Sequence, residues 1–92
     1  MNMITHNSSD DLTIAAHTIK SMLDIKFSRA KEIHAKAMGF DSSNHLLTEL
    51  KTKTLEKDFE EYLTILKQHA LKNHQIKIDD NVAERLRFEL LD

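Results

Sequence analysis

The 92-residue chain predicts an all-α fold, a compact bundle of four to five helices, on three observations. It contains no proline and one glycine, whereas extended loops and β-sandwich folds need more turn residues than that. Apolar residues recur at spacings of three and four along most of the chain, which is the repeat of amphipathic helices. The length suffices for one small core. We therefore expect residues 1–92 to form a single helical domain.

The first helix is predicted to follow a flexible N-terminal tail at residues 1–8. Ser8 or Ser9 can cap its start, and Asp10 and Asp11 then lie in the first turn, where the helix dipole favours acidic side chains. Its inner stripe runs to about residue 23 and consists of Leu12, Ala15, Ala16, Ile19, Met22 and Leu23.

Residues 29–51 predict a helix-turn-helix-like corner. Ser28 can cap the second helix, whose inward residues are Ala30, Ile33, Ala37 and Met38. Gly39 suits the left-handed position just past a helix C-terminus. The third helix then begins at Asp41, Ser42 or Ser43, and its inner side carries Leu46, Leu47 and Leu50.

The second half of the chain predicts two more helices. The third helix bends or stops at residues 51–54, and a long helix of about five turns follows and ends near Asn73. Its stripe consists of Leu55, Phe59, Tyr62, Leu63, Leu66, Ala70 and Leu71. Asn81 and Glu84 resemble a capping box for the last helix, whose inner residues are Val82, Ala83, Leu86 and Leu90.

Two short stretches, residues 25–27 and 76–78, share an Ile-Lys-apolar order followed by a helix start. They can pair as a two-stranded ribbon that ties the C-terminal part of the chain to the first corner. In the alternative interpretation, each is an extended linker whose apolar side chains attach it to the core.

The charge balance argues against a free-standing nucleic-acid binder. Thirteen basic and fifteen acidic side chains give a formal charge of −2, whereas phosphate binding needs an excess of cations. The absence of cysteine fits a reducing, intracellular compartment. The first dozen residues lack the basic and apolar regions of a secretory signal. We expect a cytoplasmic protein with no membrane contact.

Catalytic and metal-binding patterns are missing from the sequence. A single glycine cannot build a phosphate-cradling loop, and there is no cysteine nucleophile. The six histidines are scattered, and the closest pair, His69 and His74, is five residues apart. We therefore expect surface or boundary histidines, no metal, no cofactor, no small-molecule substrate and no enzymatic activity.

The residues Ala35, Gly39, Phe40, Leu46 and Leu50 resemble the second helix-turn-helix of AraC-type regulators. The resemblance implies phosphate contacts from Lys51 and Lys53, and base-facing positions at Ser42, Ser43, Asn44, His45 and Thr48. The chain departs from that family at His34, where the family has an aliphatic residue. It also lacks an arginine on the recognition helix, although arginine to guanine is the commonest specific contact.

A second resemblance covers about residues 12–51. The order Ser28, Ala30, Glu32, Ile33, Ala35, Gly39, Asn44, Leu46 is similar to the small helical domain of bacterial glyoxalase-related proteins. That family usually carries a tryptophan just before the asparagine, where this chain has Ser43. The resemblance implies a helical accessory or interaction module, and it carries over no catalytic residues.

Two functions follow from these patterns. The first is a small non-enzymatic binding module of a bacterium or its phage or plasmid. It would act by protein–protein interaction or self-association as an inhibitor, antitoxin-like, anti-defence or adaptor protein. Its candidate contacts are Asp58, Glu60, Glu61, Arg85, Arg87, Phe88 and Leu91. The alternative is a dimeric helix-turn-helix transcriptional regulator that binds DNA. The charge balance favours the first.

Overall fold

The computed structural model describes residues 2–91, which form five helices and two strands. In chain order these are β1 (Met3–His6), α1 (Ser9–Leu23), α2 (Phe27–Ala37), α3 (Ser43–Leu50), β2 (Leu55–Asp58), α4 (Phe59–His74) and α5 (Asp80–Leu90). The predicted all-α bundle with a small two-stranded ribbon is confirmed. None of the helices within the described range combines the length and apolar composition that a bilayer crossing requires.

The core is built around α2, which packs against α1, α3 and α4. Its small residues Ala30, Ala35 and Ala37 are buried, which allows the neighbouring helices to approach closely. The largest side chains that fill the core, Phe59 and Tyr62, come from α4 and are fully buried. The inner stripes of α1 and α4 therefore face the core as their spacing predicts, but the placement of Leu71 in the α4 stripe is wrong, since this side chain is 58% exposed.

The ribbon consists of other residues than predicted. Strands β1 and β2 pair antiparallel, with Met3 opposite Asp58 and His6 opposite Leu55. The prediction of a ribbon from residues 25–27 and 76–78 is wrong, and so is the placement of residues 3–6 in a tail. Ile4 and His6 are buried on the inner face of β1, and this burial attaches the strand to the core.

The two Ile-Lys stretches follow the linker interpretation instead. Phe27 is already the first residue of α2, and residues 75–79 form no regular element. Ile25 and Ile76 are half-buried against the core, and Ile78 is buried. Each stretch therefore attaches to the core through side chains, without backbone pairing to the other.

Three helix starts differ from the predictions. Lys26, not Ser28, occupies the N-cap position of α2. Asp79 caps α5, because its Oδ1 accepts a hydrogen bond from the Val82 amide at 2.9 Å, and it lies two residues before Asn81, the predicted cap. Leu55 belongs to β2 and not to the stripe of the long helix, which begins only after Asp58.

The corner between α2 and α3 has the predicted construction. Gly39 adopts φ +97°, and Ser42 caps α3 by accepting a hydrogen bond from the His45 amide at 3.1 Å. Glu32 adds a link across the corner, since its Oε1 accepts bonds from the Ser43 amide at 3.3 Å and the Ser43 hydroxyl at 3.0 Å. The two helices are thereby held together by side-chain hydrogen bonds as well as by packing.

Candidate functional site

The outer side of α5 presents an exposed aromatic residue. Ala83 and Leu86 are buried on the inner side of this helix, whereas the Phe88 side chain is 74% exposed. Among the residues that the structure describes, Phe88 is the most exposed large apolar side chain. Burial of an exposed phenylalanine in a partner would be favourable by about 1.5–3 kcal/mol. This face is consequently the first candidate for binding.

Phe88 borders a groove of about 360 Å³. We call this groove and its lining the Phe88 surface, which consists of Asn2, Glu84, Arg87, Phe88 and Leu91. The Arg87 guanidinium is held in place by an ion pair with Glu60, and its centre lies 5.1 Å from the centroid of the Phe59 ring. The aromatic residue therefore stands beside an arginine that is already ordered.

The predicted acidic contacts at the start of α4 are neutralised within the fold. Asp58 caps α4 by accepting the Glu61 amide at 3.2 Å. Glu60 pairs with Arg87, and Glu61 lies 3.5 Å from the Lys57 ammonium. The structure thus brings the acidic residues next to the Phe88 surface through Glu60, and both glutamates are paired with basic side chains. An apolar contact fits this face better than an electrostatic one.

Arg85 lies apart from the other predicted contacts of α5. It lines a separate groove of about 320 Å³ between α1 and α5, together with His17, Thr18, Ser21, Met22 and Glu89. The remaining predicted contacts on α5, which are Arg87, Phe88 and Leu91, share the Phe88 surface.

The expected exposure of Ser43 toward DNA bases is wrong. Ser43 is only 7% exposed, and its hydroxyl donates to Glu32. The Ser42 hydroxyl accepts the His45 amide as the cap of α3. Both hydroxyls are thus engaged in building the corner.

The rest of the predicted nucleic-acid face is exposed. Asn44, Thr48 and Lys51 line a groove of about 580 Å³ that also includes Asn7, Ser8 and Ser9 from the start of α1. His45 contacts Phe40 edge to face, with the ring centroids 5.1 Å apart. The Lys53 ammonium lies 3.2 Å from a Glu49 carboxylate oxygen. Lys51 makes no ion pair within residues 2–91, which leaves it as the basic residue of this face best placed to meet a phosphate.

The core contains a polar cluster that the sequence did not reveal. His6 Nε2 and His34 Nε2 lie 2.6 Å apart, and His34 Nδ1 lies 2.7 Å from the Tyr62 hydroxyl. His6 Nδ1 lies 3.0 Å from the carbonyl oxygen of Thr5. All three side chains are buried, so a single hydrogen-bonded chain crosses the core from β1 through α2 to α4.

When both rings are neutral, the Thr5 carbonyl determines which atoms donate and which accept in this series of hydrogen bonds. A carbonyl only accepts, so His6 Nδ1–H donates to it and His6 Nε2 must accept. His34 Nε2–H then donates to His6, which leaves His34 Nδ1 to accept the Tyr62 hydroxyl. Each of the two rings and the phenol thus donates one hydrogen bond, and every buried polar atom of the cluster has a partner.

Burial also determines the ionisation of the cluster. Desolvation by burial, together with a smaller effect of the nearby His6, lowers the pKa of His34 to about 3. The pKa of His6 is lowered by burial, although the Thr5 carbonyl and the Asp11 carboxylate raise it in part. Burial raises the pKa of Tyr62. The cluster is therefore neutral around pH 7.

The expectation that all histidines lie at the surface or its boundary is wrong for two of the six. His6 is 3% exposed and His34 is fully buried. The sequence contained one signal: His34 lies four residues after Ala30 and four before Met38, at the centre of the predicted inner stripe. The only tyrosine was predicted to point inward, and a buried phenol requires a hydrogen-bonding partner.

The other histidines are at least partly accessible. The rings of His69 and His74 have centroids 5.6 Å apart, and His69 is hydrogen-bonded to Asn73 at 2.8 Å. Within residues 2–91, no three histidine or carboxylate side chains come together as metal ligands.

The chain matches no protein-family model, no curated protein and no solved structure. The resemblances to glyoxalase-related helical domains and to AraC-type regulators stay predictions from the sequence.

Proposed function

We propose that the chain is a small non-enzymatic binding module that acts through protein–protein contact at the Phe88 surface. The observation that carries the proposal is the 74% exposure of Phe88 beside the ordered Arg87. Aromatic and arginine side chains dominate the energetics of protein interfaces, and an arginine that is ordered before binding loses less entropy on association. The role of such a module is to mask a partner's surface, as an inhibitor or antitoxin does, or to join two partners as an adaptor.

The position of the titratable groups supports a binding role over catalysis. Catalysis needs acid–base groups that converge in a cleft accessible to substrate. His34 and Tyr62 have strongly shifted pKa values, but both are fully buried. The acidic residues at the start of α4 are engaged in a helix cap and in ion pairs.

The proposal is tested by comparing two substitutions of exposed apolar residues, Phe88→Glu on α5 and Leu71→Glu on α4. Both side chains are more than half exposed, at 74% and 58%, so both variants should fold with unchanged circular dichroism. Tagged proteins are purified from cells of the natural host, and bound proteins are quantified by mass spectrometry. We expect Phe88→Glu to lose specific partners that wild type and Leu71→Glu retain.

Two results would overturn this assignment. One is that wild type and Phe88→Glu capture the same proteins in the same amounts. The other is that Leu71→Glu loses the partners as completely as Phe88→Glu does. Self-association is measured separately by light scattering of the purified proteins, since a second copy of the chain is also a protein partner.

The second candidate is a DNA-binding regulator that reads DNA with α3. The observation in its favour is the exposed face of Asn44, Thr48 and Lys51 after a helix-turn-helix-like corner. A DNA-binding protein that neutralises phosphates loses affinity steeply with added salt. DNA binding would therefore be strongly salt-dependent and would require Lys51.

Lys51→Glu and Lys77→Glu make the same charge change at two exposed positions. Fluorescence anisotropy with a mixed-sequence duplex measures the affinity at low and at physiological salt. If α3 binds DNA, Lys51→Glu weakens binding at least about tenfold and Lys77→Glu has little effect. No change in anisotropy with wild-type protein at low salt removes this candidate and leaves the protein-binding proposal standing.

A further inference from the structure

The strand β1 is attached to the molecule by few contacts, and one of its two inward side chains is titratable. Its four residues pair with β2, and the Phe59 amide donates to the Asn2 carbonyl at 2.9 Å. Ile4 and His6 point into the core, whereas Met3 and Thr5 are exposed. An isolated two-stranded ribbon is marginally stable in water. The attachment of β1 thus depends strongly on the burial of Ile4 and His6.

The buried His6–His34–Tyr62 cluster cannot take up a proton without losing a hydrogen bond. If the proton resides on His6, then His6 Nε2–H donates to His34 Nε2, and the hydrogen of His34 must move to Nδ1. If it resides on His34, then both nitrogens of that ring carry hydrogens. In either case His34 Nδ1–H donates to the Tyr62 oxygen, and the phenolic hydrogen loses its acceptor.

The part of the chain that the structure describes offers the phenol no second acceptor. Within residues 2–91, the Tyr62 hydroxyl has His34 as its hydrogen-bonding partner and no other. A second added proton would place two N–H groups opposite each other across 2.6 Å, which is repulsive. The folded pair of rings therefore resists protons that the separated rings accept at their ordinary pKa.

One charged group near the two imidazoles, the Asp11 carboxylate, partly compensates a positive charge on His6. On α1 the Asp11 carboxylate acts on His6, but its Oδ2 already accepts the amides of Asn7 at 2.7 Å and Ser8 at 3.3 Å. On β2, Lys57 lies on the same face as Leu55, the residue opposite His6, and pairs with Glu61. Two further acids of β2, Glu56 and Asp58, stand opposite exposed residues of β1. The groups contributed by α2 and α4 are His34 and Tyr62 themselves.

We propose that the His6–His34–Tyr62 cluster makes the attachment of β1 dependent on pH, so that mild acid releases this strand while the helices stay folded. Release separates the two imidazoles and allows each to take up a proton in water. It frees the Tyr62 hydroxyl to bond to water or to His34. It also removes Asn2 from the Phe88 surface and alters the neighbouring groove at Asn7–Ser9, so both candidate binding surfaces change with pH.

Hydrogen exchange of the wild-type protein, read out by mass spectrometry at about pH 8 and about pH 5, tests this directly. After correction for the intrinsic rates, we expect protection of residues 3–6 and 55–58 to fall at least about tenfold at the lower pH. Residues 62–70 in α4 should lose protection only in step with the global stability and should stay clearly protected at pH 5, where the ribbon is open. Equal remaining protection in the ribbon and in α4 at pH 5 would show that both open only by global unfolding and would overturn the proposal.

Two variants identify the titrating group. His6→Gln removes a buried imidazole, and His17→Gln removes an exposed one from α1. We expect the pH dependence of ribbon protection to weaken in His6→Gln, which retains only the His34 contribution, and to persist in full in His17→Gln. An unchanged pH dependence in a folded His6→Gln would contradict the proposal. If His6→Gln does not fold, the comparison of ribbon and α4 in wild type still decides.

Discussion

At the scale of single residues, the corner between α2 and α3 is determined by backbone conformation as much as by packing. Gly39 adopts φ +97°, which side chains with a Cβ rarely tolerate. A Cβ at this position would lie 3.7 Å from the Lys57 ammonium, an ordinary contact distance. Space is therefore available for alanine, and the cost of a substitution is conformational.

Gly39→Ala should consequently destabilise the protein by about 1–2 kcal/mol, the energy of forcing an alanine into the left-handed region. Urea unfolding followed by circular dichroism measures this loss. Gly39→Asn is the matched control and should lose less, because asparagine tolerates positive φ better than alanine does. An alanine variant as stable as wild type would mean that the corner relaxes to a negative φ.

At the scale of elements, the sequence predicts the helices well because their inner faces repeat with the helical period. Leu12, Ala16 and Ile19 of α1 are buried as their spacing requires. The helix ends are harder to predict: α1 and α4 both end on residues with φ 54°, Asp24 and Gln75, instead of glycine. The residue that follows each of these positions, Ile25 or Ile76, packs against the core.

The strands escape prediction for a different reason. The inward residues of β1 are Ile4 and His6. One of the two inward positions is therefore polar, and the alternation of apolar and polar residues that indicates a strand is lost. In β2, Leu55 precedes Phe59 by four residues and thus matches the helical stripe that follows. The burial of His6 in the ribbon depends on its hydrogen bond to His34, which is distant in sequence and is bonded in turn to Tyr62. No local pattern carries that information.

The residues of the candidate site likewise fall into those that the sequence indicates and those that only the tertiary fold brings together. The off-stripe position of Phe88 indicates its exposure from the sequence alone, and the structure shows it exposed. The pairing of Glu60 with Arg87 joins α4 to α5 and needs the tertiary fold. The hydrogen bond from the Ser43 hydroxyl to Glu32 likewise depends on how α2 packs against α3.

At the scale of the whole molecule, the buried cluster should limit the pH range of maximal stability. The folded-state pKa of His34 is depressed from 6.5 to about 3, so the unfolded chain binds more protons below about pH 6.5. The stability that neutral, buried His34 contributes is fully present above about pH 6.5 and is lost as the pH falls toward the pKa of His34 in the folded protein. The pKa of Tyr62 is raised from 10.0, so stability also declines above about pH 10.

Urea unfolding between pH 5 and pH 9 measures this dependence. The His34 contribution alone corresponds to a loss of about 2 kcal/mol at pH 5 relative to pH 8, and His6 adds to it in the same direction. His17→Gln is the control and should show the same profile as wild type. Equal stability at pH 5 and pH 8 would show that the folded cluster accepts protons as readily as the unfolded chain.

The most direct test of the central claim, that the Phe88 surface binds a protein, is site-specific photo-crosslinking in the host cell. A benzophenone amino acid replaces Phe88 in one variant and Leu71 in another, and both positions are exposed. We predict a discrete crosslinked protein or a crosslinked dimer from position 88 and none from position 71. Equal crosslinking from both positions, or none from position 88 while the protein remains folded, would contradict the account.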